Sequence, residues 1–211
     1  MLSENVSSAD NQQERFRSIG YYIAGFVDGE GSFNVSLRSN NDYRIGWQIV
    51  LSFNVSQKDI TMLNLLKDIL ACGIIKQRKR DNLYSYDVTK PDDVVNRVLP
   101  FFDRFEFISK SKKENYQLFK EISILAIQKP LSYENFLKII NLREELNKGK
   151  GRKRKYSKAD VLRKIPRDYT PSLLIQDDIV RPAQRCAEPG GNVQGNSLLW
   201  VSNNVNCSMV A

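Results

Sequence analysis

Apolar and polar residues change period along this chain several times, and each change marks an element. Over residues 18–28 the apolar positions Ile19, Tyr22, Ile23, Phe26 and Val27 recur at helical spacing, which predicts a helix. Residues 32–38 alternate strictly, with Phe33, Val35 and Leu37 set against Ser32, Asn34, Ser36 and Arg38, the period of a half-buried strand. Asn40-Asn41-Asp42 makes a turn. Residues 43–55 then alternate again, with Ile45, Trp47, Ile49, Leu51, Phe53 and Val55 on one side and Arg44, Gln48, Ser52 and Asn54 on the other. Helical spacing returns over residues 58–70, with Gly73 near the C-cap. A second hairpin, 74–80 and 83–89, turns at Asp81-Asn82, and Pro91 suits the first turn of a short helix to residue 99. Residues 111–128 and 133–146 read as two closing helices. The order is α-β-β-α-β-β-α with extra C-terminal helices, an α+β domain over 18–147 whose antiparallel sheet carries helices on one face.

Outside that domain the pattern weakens. Residues 1–17, rich in Ser, Asn, Gln and Glu, are expected to be a disordered leader. Residues 148–165 open with a basic run, Lys148-Gly-Lys-Gly-Arg-Lys-Arg-Lys-Tyr-Ser-Lys158, expected to be flexible and to contact phosphates through Arg152, Lys153, Arg154 and Lys155. A nuclear address is the weaker alternative for such a run. Residues 166–211 show no sustained period and read as a disordered tail.

Composition then narrows the chemistry. The 211 residues carry 32 Lys and Arg against 24 Asp and Glu, a formal charge of +8, which favours a polyanionic partner. There is no histidine, so Ser-His-Asp and Cys-His catalysis and imidazole metal ligation are excluded. Hydrolysis would have to run on carboxylates, lysines, polar groups and metal-bound water, and such oxygen ligands suit Mg²⁺. Cys72, Cys186 and Cys207 form neither a zinc pattern nor a disulfide framework. No apolar run is long enough to cross a membrane.

The first helix departs from ordinary helix chemistry. Gly20 and Gly25 lie inside it, each costing about 1 kcal/mol relative to Ala. Gly20 and Ala24, and Gly25 and Gly29, are spaced by four, so small residues form rows that admit a second backbone. Asp28 and Glu30 sit at its C-terminus, where the macrodipole disfavours anions. Carboxylates placed there point to a bound cation. A dinucleotide-binding reading of Gly29-Glu30-Gly31 fails, because a helix rather than a strand precedes it and Asn34 stands where a third Gly is needed.

Ile23-Ala24-Gly25-Phe26-Val27-Asp28-Gly29-Glu30-Gly31 resembles the motif of the LAGLIDADG homing endonucleases. The likeness continues through Gln57-Lys58 and residues 110–119 to about residue 150. It implies that two motif helices pack at an interface and that Glu30, the last acid, binds a divalent cation, Mg²⁺, at the scissile phosphates. The Gly29 carbonyl could add a ligand. Only one motif copy is found, which on this resemblance implies a homodimer joined through Gly20, Ala24 and Gly25, with Asp28 at the contact. Gln57 would orient solvent. Lys110 or Lys112 would stabilise developing phosphate charge, Asn115 favouring the first alignment and Phe119 the second. The basic residue often found soon after the Gln has no counterpart, since Ile60, Thr61 and Met62 stand there.

The sheet's polar face is the expected saddle for double-stranded DNA, with Ser32, Asn34, Ser36, Arg38, Arg44 and Gln48 from the first hairpin and Lys76, Arg78, Arg80, Tyr84 and Tyr86 from the second. Arg and Lys pair with guanine edges, Asn and Gln with adenine. The function these expectations imply is an intron-encoded, site-specific endonuclease making a staggered double-strand break at a long pseudo-palindrome. The Asn, Lys and Ile content suggests a mitochondrial or chloroplast genome, with a bacterial cytoplasm as the alternative. An RNA-binding group I intron maturase without cleavage is the competing reading, and a transcription regulator on the same sheet a third.

Overall fold

A computed structural model of the chain describes residues 4–148 and 154–166. Helix α1 (Glu4–Glu30) runs without a break into β1 (Gly31–Ser39), which pairs antiparallel with β2 (Trp47–Gln57) in the register Gly31↔Val55 to Ser39↔Trp47. The sharp turn from helix into strand needs Gly31, because a Cβ there would lie 2.4 Å from the Val27 side chain and 2.7 Å from its carbonyl oxygen. Helix α2 (Thr61–Leu70) leads to a second hairpin, β3 (Ile74–Arg78) and β4 (Leu83–Val88). β4 pairs with β2, so the sheet order is β1-β2-β4-β3, antiparallel throughout.

Three helical pieces follow one another, α3 (Pro91–Asp93), a π-helical turn (Val94–Val98) and α4 (Leu99–Arg104). Then come α5 (Lys110–Ala126), α6 (Tyr133–Glu145) and α7 (Lys158–Arg163). The odd-numbered residues of β1 and β2 turn toward the helices and form the core. At its centre Phe33 stacks on Phe53 at 5.2 Å and meets Phe102, Phe107, Tyr116 and Phe119 at 5.1–6.0 Å between ring centroids. A second cluster joins Leu37, Ile45 and Trp47 to Phe136 and Ile140 of α6 and to Val161 and Ile165.

Boundaries differ from the sequence expectation: β2 begins at Trp47 rather than 43, the helix at Pro91 continues to Arg104, and both ends of the domain extend further. The supposed leader is helical from Glu4 onward, and its last turns are anchored by Phe16, whose ring meets Phe105 at 5.7 Å and Arg104 at 5.1 Å. Residues 154–166 are not a loose arm. Arg154 donates to the carbonyls of Arg143 and Leu146 and pairs with Glu144 at 3.2 Å, so its guanidinium satisfies the last carbonyls of α6. Arg143, buried although charged, donates to Val35 O and to Tyr156 O, tying β1 to the extension. Burial and the neighbouring Arg154 push its pKa down, with Glu144 opposing. Arg152, Lys153 and the tail from residue 167 lie outside the described residues.

Truncating Phe33 to Ala should destabilise the chain by about 3–5 kcal/mol. It removes the ring that joins β1 to α4 and α5, and urea unfolding measures the loss.

Candidate active site and sheet groove

The chemistry gathers where α1 ends and β1 begins, opposite the start of α5. Asp28 Oδ2 accepts from Ser109 N at 2.9 Å and Oδ1 accepts from the Ser109 hydroxyl. Ser109 is the N-cap of α5. Three residues along each chain segment, the Lys112 ammonium donates to Gly31 O and is itself buried. Burial alone would raise the Asp28 pKa, but the Ser109 hydrogen bonds and the Lys112 charge outweigh it and hold the carboxyl below its usual 3.8.

This arrangement separates the four expected catalytic residues. Glu30 is exposed at the C-terminus of α1, and no hydrogen bond or ion pair engages it among the described residues. Lys112 is fixed one residue away, through Gly31 O. Lys110 points outward, its nearest acid being Glu114 at 4.0 Å. Gln57 closes β2 two residues past Val55, the partner of Gly31, and so lies at the same end of the sheet, partly buried. A hard divalent cation fits the donors here: an exposed, uncommitted carboxylate with the adjacent Gly29 open to solvent. Among the described residues no group of three or more His, Cys, Asp or Glu could hold a metal ion, and Asp28 is taken up by Ser109, so Glu30 is the uncommitted carboxylate at this point.

The expected dimer contact is corrected in part. A Cβ at Gly20 would come within 2.3 Å of the Phe105 ring, and Ala24 is buried in the same core, so that row packs inside the chain. Asp28 is likewise committed internally, to α5. The row that stays open is Gly25 and Gly29, where an added Cβ meets nothing within 4 Å. Beside it Ile19 and Tyr22 are exposed, while Phe26 is half-buried against the core, so α1 turns a second apolar stripe outward.

The face of the sheet away from the helices floors a groove of about 1240 Å³. Ser32, Asn34 and Ser36 of β1 line it with Lys76 and Arg78 of β3, and alternation sets Arg38 and Gln48 on the same face. Four expected readers are elsewhere. Tyr86 is fully buried, its hydroxyl donating to Cys72 O at 2.8 Å, and Tyr84 shares that core side. The reason is register: Tyr86 pairs with Val55, so the even residues of β4 follow the core side of β2. Arg80 lies in the turn after β3, and Arg44 in the turn before β2.

The groove also holds residues the pattern did not single out. Ser56, Ser85 and Asp87 join Ser52 and Asn54 on its floor. Alternation could have found them. Asn115 and Asn147 could not be found that way, because their role depends on distant contacts: Asn147 N donates to Asn115 Oδ1, and Asn147 Nδ2 donates to Phe33 O, both at 2.7 Å. Of the basic run, Lys155 lines the rim with its ammonium 5.3 Å from the Tyr156 ring.

Comparison with known proteins decides the family. The profile described as LAGLIDADG endonuclease matches residues 23–123. The segment over residues 23–123 belongs to this family. A probable intron-encoded endonuclease 2 of Neurospora crassa is 34% identical over 130 residues, covering 60% of this chain and 27% of the relative. DNA endonuclease I-CreI of Chlamydomonas reinhardtii is 32% identical over 83 residues, 38% of this chain and 51% of that protein. Among solved structures, meganuclease I-SmaMI bound to uncleaveable DNA superposes with a TM-score of 0.57 at 34% identity, covering 62% of this chain and 45% of the other. The homing endonuclease I-TnaI gives 0.57 at 28% identity, covering 88% of that chain. The chain spans about a quarter of the length of the N. crassa relative. The LAGLIDADG motif is thus the end of α1, and its last acid is Glu30.

Replacing Asp28 by Ala should cost about 0.5–2 kcal/mol near neutral pH, the range for losing a helix cap. Because the folded pKa is depressed, this stability is present above the ordinary carboxyl value of 3.8 and is lost as pH falls through the folded value. Urea unfolding of both proteins should therefore show a gap near neutrality that narrows below about pH 3.8; a gap that stays constant into acid would contradict the clamp.

Proposed function

We propose that the chain is a site-specific DNA endonuclease that hydrolyses phosphodiesters with Mg²⁺ as a homodimer. The observation that carries the reading is Glu30: an exposed carboxylate without an internal partner, beside an open glycine row on the same helix. Packing Gly25 and Gly29 against a second copy of α1 would bring two Glu30 carboxylates together, and like charges at short range call for a cation. Glu30 would hold Mg²⁺, with the Gly29 carbonyl as a further oxygen donor. When bound, the ion supplies Lewis acidity and an acidified water.

The chain's own residues then have separate tasks. Lys112, fixed by Gly31 O, places a positive charge beside the reacting phosphate. Gln57 orients solvent at the same end of the sheet. The groove floor takes the duplex, and Lys155 with the basic run contributes phosphate contacts that carry no sequence information. Two grooves related by a two-fold axis would read a pseudo-palindrome and cut both strands with a stagger. The Asn, Lys and Ile content fits an intron of an AT-rich organelle genome, in keeping with the intron-encoded relative from N. crassa.

Incubation with Mg²⁺ and a duplex spanning the intronless host locus should give a double-strand break. Glu30→Gln should lower the rate about a hundredfold or more while binding persists, and Lys112→Met about a hundredfold, against little change for Lys110→Met. Sedimentation equilibrium should show a dimer, and Gly25→Leu should shift it to monomer. Wild-type protein that binds nucleic acid and never cuts would replace this reading with the maturase role.

A further inference from the structure

An acid on a surface meant for a polyanion needs a reason, and Asp87 sits on the groove floor. Its Oδ1 accepts from Asn54 Nδ2 and, at 3.2 Å, from Ser85 Oγ. Asn54 Nδ2 also donates to Ser85 Oγ at 2.7 Å. Turning the amide over would set its carbonyl oxygen against the carboxylate, so this orientation is fixed by charge. The amide hydrogens are thereby used within the sheet, and Asn54 cannot make the two-bond adenine contact expected of an Asn on this face. It is a strut for Asp87.

Asp87 Oδ2 remains. It lies 3.7 Å from Lys76 Nζ, on the neighbouring strand β3, with the two side chains 19% and 61% exposed. That separation is attractive but longer than a hydrogen bond, so both groups keep unused capacity. A carboxylate oxygen beside an ammonium presents an acceptor next to a donor. In the major groove a G·C pair presents the complement: the guanine O6 acceptor lies one hydrogen-bond length, about 2.9 Å, from the cytosine N4 donor. An A·T pair also sets a donor, adenine N6, beside an acceptor, thymine O4, and differs in what flanks them: adenine N7, an acceptor, lies next to its donor, whereas guanine N7 lies next to its acceptor.

We propose that Asp87 and Lys76 together read one G·C pair in each half-site, Asp87 accepting from cytosine N4 and Lys76 donating to guanine O6 and N7, with Asn54 and Ser85 as positioning residues. This rests on the DNA reading above. Adenine is disfavoured at Asp87 because its N7 lone pair would face the carboxylate.

Full-length protein would be used to select bound duplexes from a randomised pool. The wild type should enrich sites with a G·C pair of fixed orientation at one position in each half. Asp87→Asn, nearly isosteric, and Lys76→Gln, at an exposed position, should each relax the preference about tenfold at that same position and leave the others unchanged. Should Asp87→Asn fail to fold by thermal melting, Lys76→Gln with Asn54→Ala carries the test. Unchanged preferences, or relaxation at different positions, would overturn the pairing while leaving the DNA reading intact. A wild-type chain that enriches nothing overturns both.

Discussion

Everything at the motif end of the molecule depends on an exchange of charge between two helix termini. Asp28 lies in the last turn of α1, and Lys112 in the first turn of α5. Each is badly placed for its own helix dipole. Across the junction both are well placed: Asp28 caps the positive start of α5 through Ser109, and Lys112 meets the negative end of α1 at Gly31 O. Both contacts join segments 81 residues apart. They fix the angle at which the motif helix meets the sheet, and with it the position of Glu30. One acid of the pair is consumed by this exchange and one is not, so the two carboxylates of the motif have different roles despite their nearness in sequence.

The same division runs along α1. Helical spacing grouped Ile19, Tyr22, Ile23, Phe26 and Val27 as one apolar side, but the helix has two. Gly20, Ile23, Ala24 and Val27 face the core, where Gly20 admits the Phe105 ring. Ile19, Tyr22, Gly25 and Gly29 face outward. A period of 3.6 shows that a stripe exists, not how many partners it has. Only the position of Phe105, fixed by the π-turn and α4 far along the chain, tells the rows apart.

Strand content, hairpins and the choice of helix-bearing face were legible because period two is strong in residues 32–38 and 47–55. The second hairpin was read one residue out of phase on β4, where Tyr84 and Tyr86 look polar enough for the open face. Pairing of Tyr86 with Val55 sends it inward, and its hydroxyl is satisfied by Cys72 O instead of solvent. The choice between Lys110 and Lys112 was likewise closed to local pattern. Both stand in one basic cluster, and they differ in whether their position on the first turn of α5 faces Gly31. The helix over residues 4–17 was missed because Ser, Asn and Gln are weak signals alone, while Phe16 is anchored by residues some ninety positions away.

Net positive charge explains attraction to a polyanion but not how a sequence is read, and the extension shows why the two must be separated. Arg154 belongs to the basic run by composition, yet its guanidinium is spent on the carbonyls that end α6. Arg143 is spent in the same way between β1 and Tyr156. Conversely Asp87, an acid by composition, stands in the groove with an oxygen facing Lys76. Counting charge on a face therefore misjudges both signs. What a ligand of this face would meet is the set of donors and acceptors left after the fold has used its own, and on this sheet that remainder is set by Asn54, Ser85 and the β3–β4 register.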